Sequence, residues 1–154
     1  MSFRTTESVL VPAPPAEVFP HVATLDRYPP WLRLVHEAEP THDAEPDQGP
    51  AWTVELRAQV GPFARSKQLR MVRRAHEPDR HVEFERAEID GRQHARWALS
   101  VDIEETADSA SIVTMHLAYD GALWTGGLLD RVLDEEIRRG RAGLTALVSG
   151  EPTH

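Results

Sequence analysis

Three stretches of this chain alternate apolar and polar residues with a period of two, and the last long stretch repeats at helical spacing instead. In AWTVELRAQV, Trp52, Val54, Leu56, Ala58 and Val60 fall on one side, and Thr53, Glu55, Arg57 and Gln59 on the other. Such alternation marks a strand with one buried face. It returns at Ala95, Trp97, Leu99, Val101 and Ile103, and again at Val113, Met115, Leu117 and Tyr119. In HVEFERAEI, Val82 and Phe84 share a face that Arg86 and Glu88 continue, and FARSKQLRMVRR reads as a strand of noisier pattern. Gly61-Pro62, HEPDR and ADSA are turns, and Asp90-Gly91 predicts a two-residue hairpin. Strands of this kind make an antiparallel meander that needs a cover on one side. The cover is LLDRVLDEEIRRGRAGLTALV, where Leu129, Val132, Leu133, Ile137, Leu144, Leu147 and Val148 form one stripe. Asp130, Glu135, Arg138, Arg139 and Arg141 lie off that stripe. Gly140 and Gly143 weaken a helix, and are expected to mark a close approach to the sheet or a bend.

The N-terminal region has a different character. Phe3 to Val11 reads as a strand closed by Pro12, and half of the 12 prolines fall between Pro12 and Leu32. Pro14 and Pro15 suit a helix's first turn, where the missing N–H would be unpaired anyway. Val18, Phe19, Val22 and Leu25 give that short helix an apolar stripe, and Pro20 is expected to bend it. Asp26 is expected to cap a second short turn, Trp31 to pack this segment onto the sheet, and Tyr28 either to gate an entrance or to sit exposed. A strand near Leu34–Thr41 and an acidic loop follow. The order is therefore strand, two short helices, six antiparallel strands and a long helix, in one α+β domain spanning 1–154.

The chain has no cysteine, which excludes disulfides, thiol nucleophiles and thiolate metal sites. Its N-terminus lacks the basic start and apolar run of a signal peptide, and no apolar run approaches the ~18 residues of a membrane helix. A cytoplasmic protein with no integral membrane segment is expected. A net charge of −8 argues against a nucleic-acid partner. The eight histidines show no metal-ligand spacing, and His94 and His116 fall on an outer face by alternation. No nucleophile elbow or phosphate-cradling loop is present, so neither metal nor cofactor is expected.

The order of elements, with SVLVPAPPAEVFPHVATLDRYPPW near the start and GGLLDRVLDEEIRRGRAGLTALVSG at the end, resembles the START-like superfamily. That superfamily is also called Bet v 1-like or polyketide cyclase/dehydrase. The resemblance covers nearly the whole chain, departs at Pro20, and matches the middle only as a meander. It implies a helix-grip fold: a bent antiparallel sheet of about seven strands around a long C-terminal helix, two short helices after the first strand, and a cavity between sheet and helix.

Within that frame the expected ligand-binding residues are Trp52, Met71, Phe84, Arg86, Glu88, Trp97, Tyr119 and Trp124. The aromatics suit an apolar ligand with a few placed polar groups, although plain core packing is the better reading of any single one. Arg86 and Glu88 either reach the cavity mouth or point to water beside Asp90-Gly91. The leading expectation is binding of a small hydrophobic or amphipathic molecule, such as a lipid or polyketide, with a homodimer left open. A polyketide aromatase/cyclase-dehydratase is the second reading, for which Arg86, Glu88, Tyr119 and His21 are the acid or base candidates. An interaction protein, like the ribosome-associating toxins or quinone-binding chaperones of this fold, is the third.

Overall fold

In the computed structural model, which describes residues 2–41, 49–60, 62–120 and 128–149, the alternating segments pair into one antiparallel sheet. The strands are β1 (Ser2–Val11), β2 (Val35–Pro40), β3 (Ala51–Val60), β4 (Phe63–Glu77), β5 (His81–Arg86), β6 (Trp97–Glu105) and β7 (Ser111–Asp120). Their order is β1-β7-β6-β5-β4-β3-β2, so consecutive strands are neighbours everywhere except at β1, which joins β7. Helix α1 (Pro15–Val22) and a single 3-10 turn (Leu25–Arg27) lie between β1 and β2, and helix α2 (Leu128–Ser149) ends the fold. This is the helix-grip architecture.

The cleanly alternating strands bury the face their pattern marks, whereas β4 buries Leu69, Arg70, Met71 and Val72 in a row. β7 is the cleanest case, with Val113, Met115, Leu117 and Tyr119 buried and the residues between them more open. The α2 stripe meets that face through Leu133, Ile137 and Leu144. Val132 and Val148 are only half-buried and Leu147 is exposed, because the helix touches the sheet along a narrower line than its apolar stripe.

Polar contacts tie α2 to both sides of the groove. On β1, Thr5 donates to Asp134, and the Arg141 guanidinium reaches the Ser8 carbonyl at 3.0 Å and Glu7 at 3.4 Å. The Ser8 contact satisfies a carbonyl on an edge strand that would otherwise be open to pairing. On the other side, Arg33 donates from Nε and NH2 to Glu136, at 2.7–2.9 Å. Glu136 is 4% exposed, on the buried side of α2.

The proline-rich segment packs as a lid on α2. Pro14 supplies the carbonyl for the Glu17 and Val18 amides, and α1 runs through Pro20 as far as Val22. Asp26 does not cap the second turn. It lies within that turn, Thr24 precedes it without a side-chain cap, and the Asp26 carboxylate instead accepts from the Trp52 indole at 2.8 Å. Tyr28 is neither gate nor exposed residue. It is fully buried, its hydroxyl donates to the Val22 carbonyl at 2.9 Å, and burial pushes its phenol pKa well above the ordinary range. Trp31 packs against Tyr28, with ring centroids 4.6 Å apart, and against α2. The two helix glycines mark this contact. A Cβ on Gly143 would lie 2.5 Å from the Trp31 carbonyl oxygen, and one on Gly140 would lie 2.6 Å from Leu32 Cδ1.

The Asp90-Gly91 hairpin does not form. β5 stops at Arg86 and β6 begins at Trp97, so residues 87–96 make a longer connection. Gly91 does adopt the expected positive φ of 75°. His94 accordingly sits in the connection, not on an outer strand face, with Nε2 2.8 Å from the Asp90 carboxylate. His116 does lie on the outer face, within 3.3 Å of Asp102.

Candidate ligand site

Strand register gathers the sequence-derived candidates into one row across the concave face. Trp52 pairs with Met71, Met71 with Arg86, and Trp97 with Tyr119. The β5–β6 ladder pairs Phe84 with Leu99 and Glu85 with Ala98, so one further step brings Arg86 opposite Trp97. Phe84 lies one pair along on the same face and meets Trp52 edge-on, with centroids 5.6 Å apart. Trp97 and Tyr119 tilt together at 4.7 Å. Trp124 lies outside the described residues.

Behind this row is an apolar cavity of about 30 Å³, lined by residues that include Leu34, Met71, Trp97, Leu117 and, from α2, Ile137. Leu25 and Leu32 close it from the lid side. Trp52 is not part of this lining. Its indole is turned to Asp26, and the Arg73 guanidinium lies 6.0 Å over its ring while donating to the Ala23 carbonyl at 2.8 Å. The volume is enough for roughly one water, against the ~300–1,000 Å³ of a small-molecule pocket. An organic ligand therefore needs the lid or α2 to shift.

Arg86 and Glu88 do not point freely to water. The Arg86 side chain is only 7% exposed, and its Nε donates to Glu88 Oε1 at 2.9 Å. Its remaining nitrogens contact the Ala95 carbonyl at 3.2 Å and His94 Nδ1 at 3.3 Å. Glu88 Oε1 also accepts from the Arg70 backbone amide at 3.0 Å, taking the place of strand pairing beyond the end of β5. Lys67, which sequence reasoning missed, joins this group. It pairs with Leu56 on β3 and shares the concave face of Leu69 and Met71. Burial lowers its pKa, with the Arg86 charge acting the same way and the Glu88 charge opposing. The parity that places it was readable in the sequence, but charged neighbours on both sides blurred the β4 pattern.

Other groupings lie away from this face. His21 is half-buried on α1, 3.4 Å from Arg27, and burial together with the Arg27 charge lowers its pKa. A β-bulge between Val35 and Glu37 brings His36, Glu37 and Glu55 together, with possible ligand atoms within 4.8 Å of one another. These three are solvent-accessible, and the bulge that assembles them left no mark in the spacing of the sequence.

The fold and the row of concave-face residues define a START-like, helix-grip protein. The chain belongs to the family described as "Polyketide cyclase / dehydrase and lipid transport", which it matches over residues 2–149. Among solved structures it is similar to a START superfamily protein from Mycobacterium smegmatis, with a TM-score of 0.74, 12% identity, and 97% of this chain and 99% of that one covered. It is also similar to the Zhui aromatase/cyclase from Streptomyces sp. R1128, with a TM-score of 0.72, 11% identity and coverage of 97% and 94%. A third, Ara h 8.0201, gives a TM-score of 0.66 at 12% identity, with coverage of 98% and 100%. At these identities the likeness concerns the fold. No curated protein sequence matches the chain. Among the described residues, no helix is long and apolar enough to cross a membrane.

Proposed function

We propose that the chain binds a small hydrophobic or amphipathic molecule between the concave face of the sheet and α2. The observation that carries this reading is Trp97. Its ring is 4% exposed and borders the apolar cavity, yet its indole N–H has no hydrogen-bond partner among the described residues. A buried donor left unpaired costs about 1–3 kcal/mol, and native structures rarely tolerate one without a purpose. A ligand bearing a carbonyl, hydroxyl or ether oxygen would satisfy it, while its apolar body replaced the contacts of Met71, Leu99 and Leu117. Met71, Trp97 and Tyr119 would line the bound molecule, with Phe84 and Trp52 supporting the lid side and Arg86 and Glu88 at the polar end.

Native mass spectrometry tests this reading. The protein purified from cells, or incubated with an extract of cellular lipids and aromatic metabolites, should carry one adduct of small-molecule mass that is lost on denaturation. A bare chain mass under both conditions contradicts it and favours an interaction protein with a solid core.

A further inference from the structure

We infer that the ligand carries an acidic group, a carboxylate or phosphate, which Lys67 and Arg86 receive at the end of the cavity. The inference rests on the binding role proposed above and specifies its ligand class. Two cations and one carboxylate converge there from neighbouring strands. One oxygen of Glu88 is already committed, because Oε1 accepts both from Arg86 Nε and from the Arg70 amide. The Arg86 guanidinium is held in place by Glu88 and the Ala95 carbonyl. It therefore acts as a fixed positive charge with little freedom to move. Lys67, half-buried on the same face of β4 as Leu69 and Met71, lies near enough for the Arg86 and Glu88 charges to act on it, and makes no hydrogen bond or close ion pair among the described residues.

Location links this excess of positive charge to the cavity. Lys67 is paired across the sheet with Leu56, and its own strand continues on the same face through Leu69 and Met71. All three of those apolar residues line the cavity. The concave face thus grades along β4 from apolar to basic, which matches a molecule with an apolar body and an anionic end. The gradient is local, because the chain as a whole carries a net charge of −8. An overall field of that sign repels anions, so nonspecific attraction would not select an acid here. A flexible lysine beside a fixed arginine can make a charge-assisted hydrogen bond to an acid oxygen on arrival.

The test compares decanoate, decanol and decylamine, which share an apolar body, by isothermal titration calorimetry at neutral pH. Wild-type protein should bind decanoate about ten- to hundredfold more tightly than decanol, the gain of one charged hydrogen bond, and decylamine most weakly. Lys67→Met should reduce the acid–alcohol ratio to about twofold or less, and Lys67→Arg should restore part of the ratio. Since Lys67 makes no hydrogen bond among the described residues, both variants should melt like wild type. Equal affinity for acid and alcohol in wild type overturns the acidic-ligand inference, a ratio that survives Lys67→Met overturns the assignment of Lys67 as its receiver, and either result leaves the binding role standing. Failure of all three amphiphiles to bind overturns both.

Discussion

Trp52 and Trp97 look alike in the alternation of the sequence, and the structure gives them different work. Both are buried on the concave face, but Trp52 has a partner for its indole and Trp97 has none among the described residues. The difference comes from Asp26, 26 positions away from Trp52, and such a long-range pairing leaves no periodic trace. Face assignments, by contrast, follow from parity alone, which is why Arg86 and Glu88 could be placed with Val82 and Phe84. On the opposite face, parity also brings His81 to Asp102, with Nδ1 2.7 Å from the carboxylate and Glu83 at 3.4 Å from Nε2. Burial disfavours the charged ring, but the hydrogen bonds it donates to Asp102 and Glu83 outweigh that and raise the pKa above 6.5. The folded state therefore holds this proton more tightly than the unfolded chain. The resulting stability is complete below about pH 6.5 and is lost as pH rises through the folded-state value. His21 and His76 have lowered pKa values and act with the opposite sign, losing stability as pH falls below 6.5. His81→Gln should then lower the melting temperature at about pH 6 and leave it nearly unchanged at about pH 8.5, by less than ~1 kcal/mol for a pair this accessible. An equal loss at both pH values would contradict the charged-pair assignment.

Among elements, the contact between the lid and α2 is the one that the sequence showed only in outline. Gly140 and Gly143 announced a close approach, yet the approaching partner is the Trp31–Leu32 backbone and side chain, not a strand. Helix periodicity reports which face is buried, not what buries it. Gly-to-Ala changes inside a helix usually stabilise by up to ~1 kcal/mol. Here Gly143→Ala should destabilise by about 1–3 kcal/mol in urea unfolding, because its Cβ would meet a backbone oxygen at 2.5 Å. A stabilised variant would place the lid elsewhere. Arg33 and Glu136 latch the same two elements. Glu136 is buried while the Arg33 side chain is 58% exposed. Arg33→Ala leaves that carboxylate without its partner and should cost about 1–3 kcal/mol, more than Glu136→Gln, which removes the charge and keeps the shape. The reverse ranking in denaturant melts would argue against a buried carboxylate. The Asp90-Gly91 signal failed at this scale for a local reason. Glu88 and Arg86 bond to the Arg70 amide and the Ala95 carbonyl, and these contacts organise a longer connection in place of a tight ladder.

At the scale of the molecule, the architecture was legible because seven strand segments, three of them cleanly alternating, and one amphipathic helix have few ways to bury their apolar faces together. The interior volume was not legible. Whether a curved sheet and its helix enclose a pocket or a solid core depends on ångström-level fit between Leu25, Leu32, Ile137 and the strands, which composition and period do not encode. The enclosed space of about 30 Å³ implies that binding opens the interior. Titration with an apolar, environment-sensitive dye tests that claim most directly, using wild type beside Leu117→Phe, a change that fills the existing cavity. Wild type should bind at one saturable site, with quenching of tryptophan emission. Dye at ~100 times its dissociation constant should add about 2.7 kcal/mol of stability. Leu117→Phe should fold with a similar melting temperature and lose most of that binding. Unsaturable binding, or equal affinity in the filled variant, would contradict a ligand site between the sheet and α2.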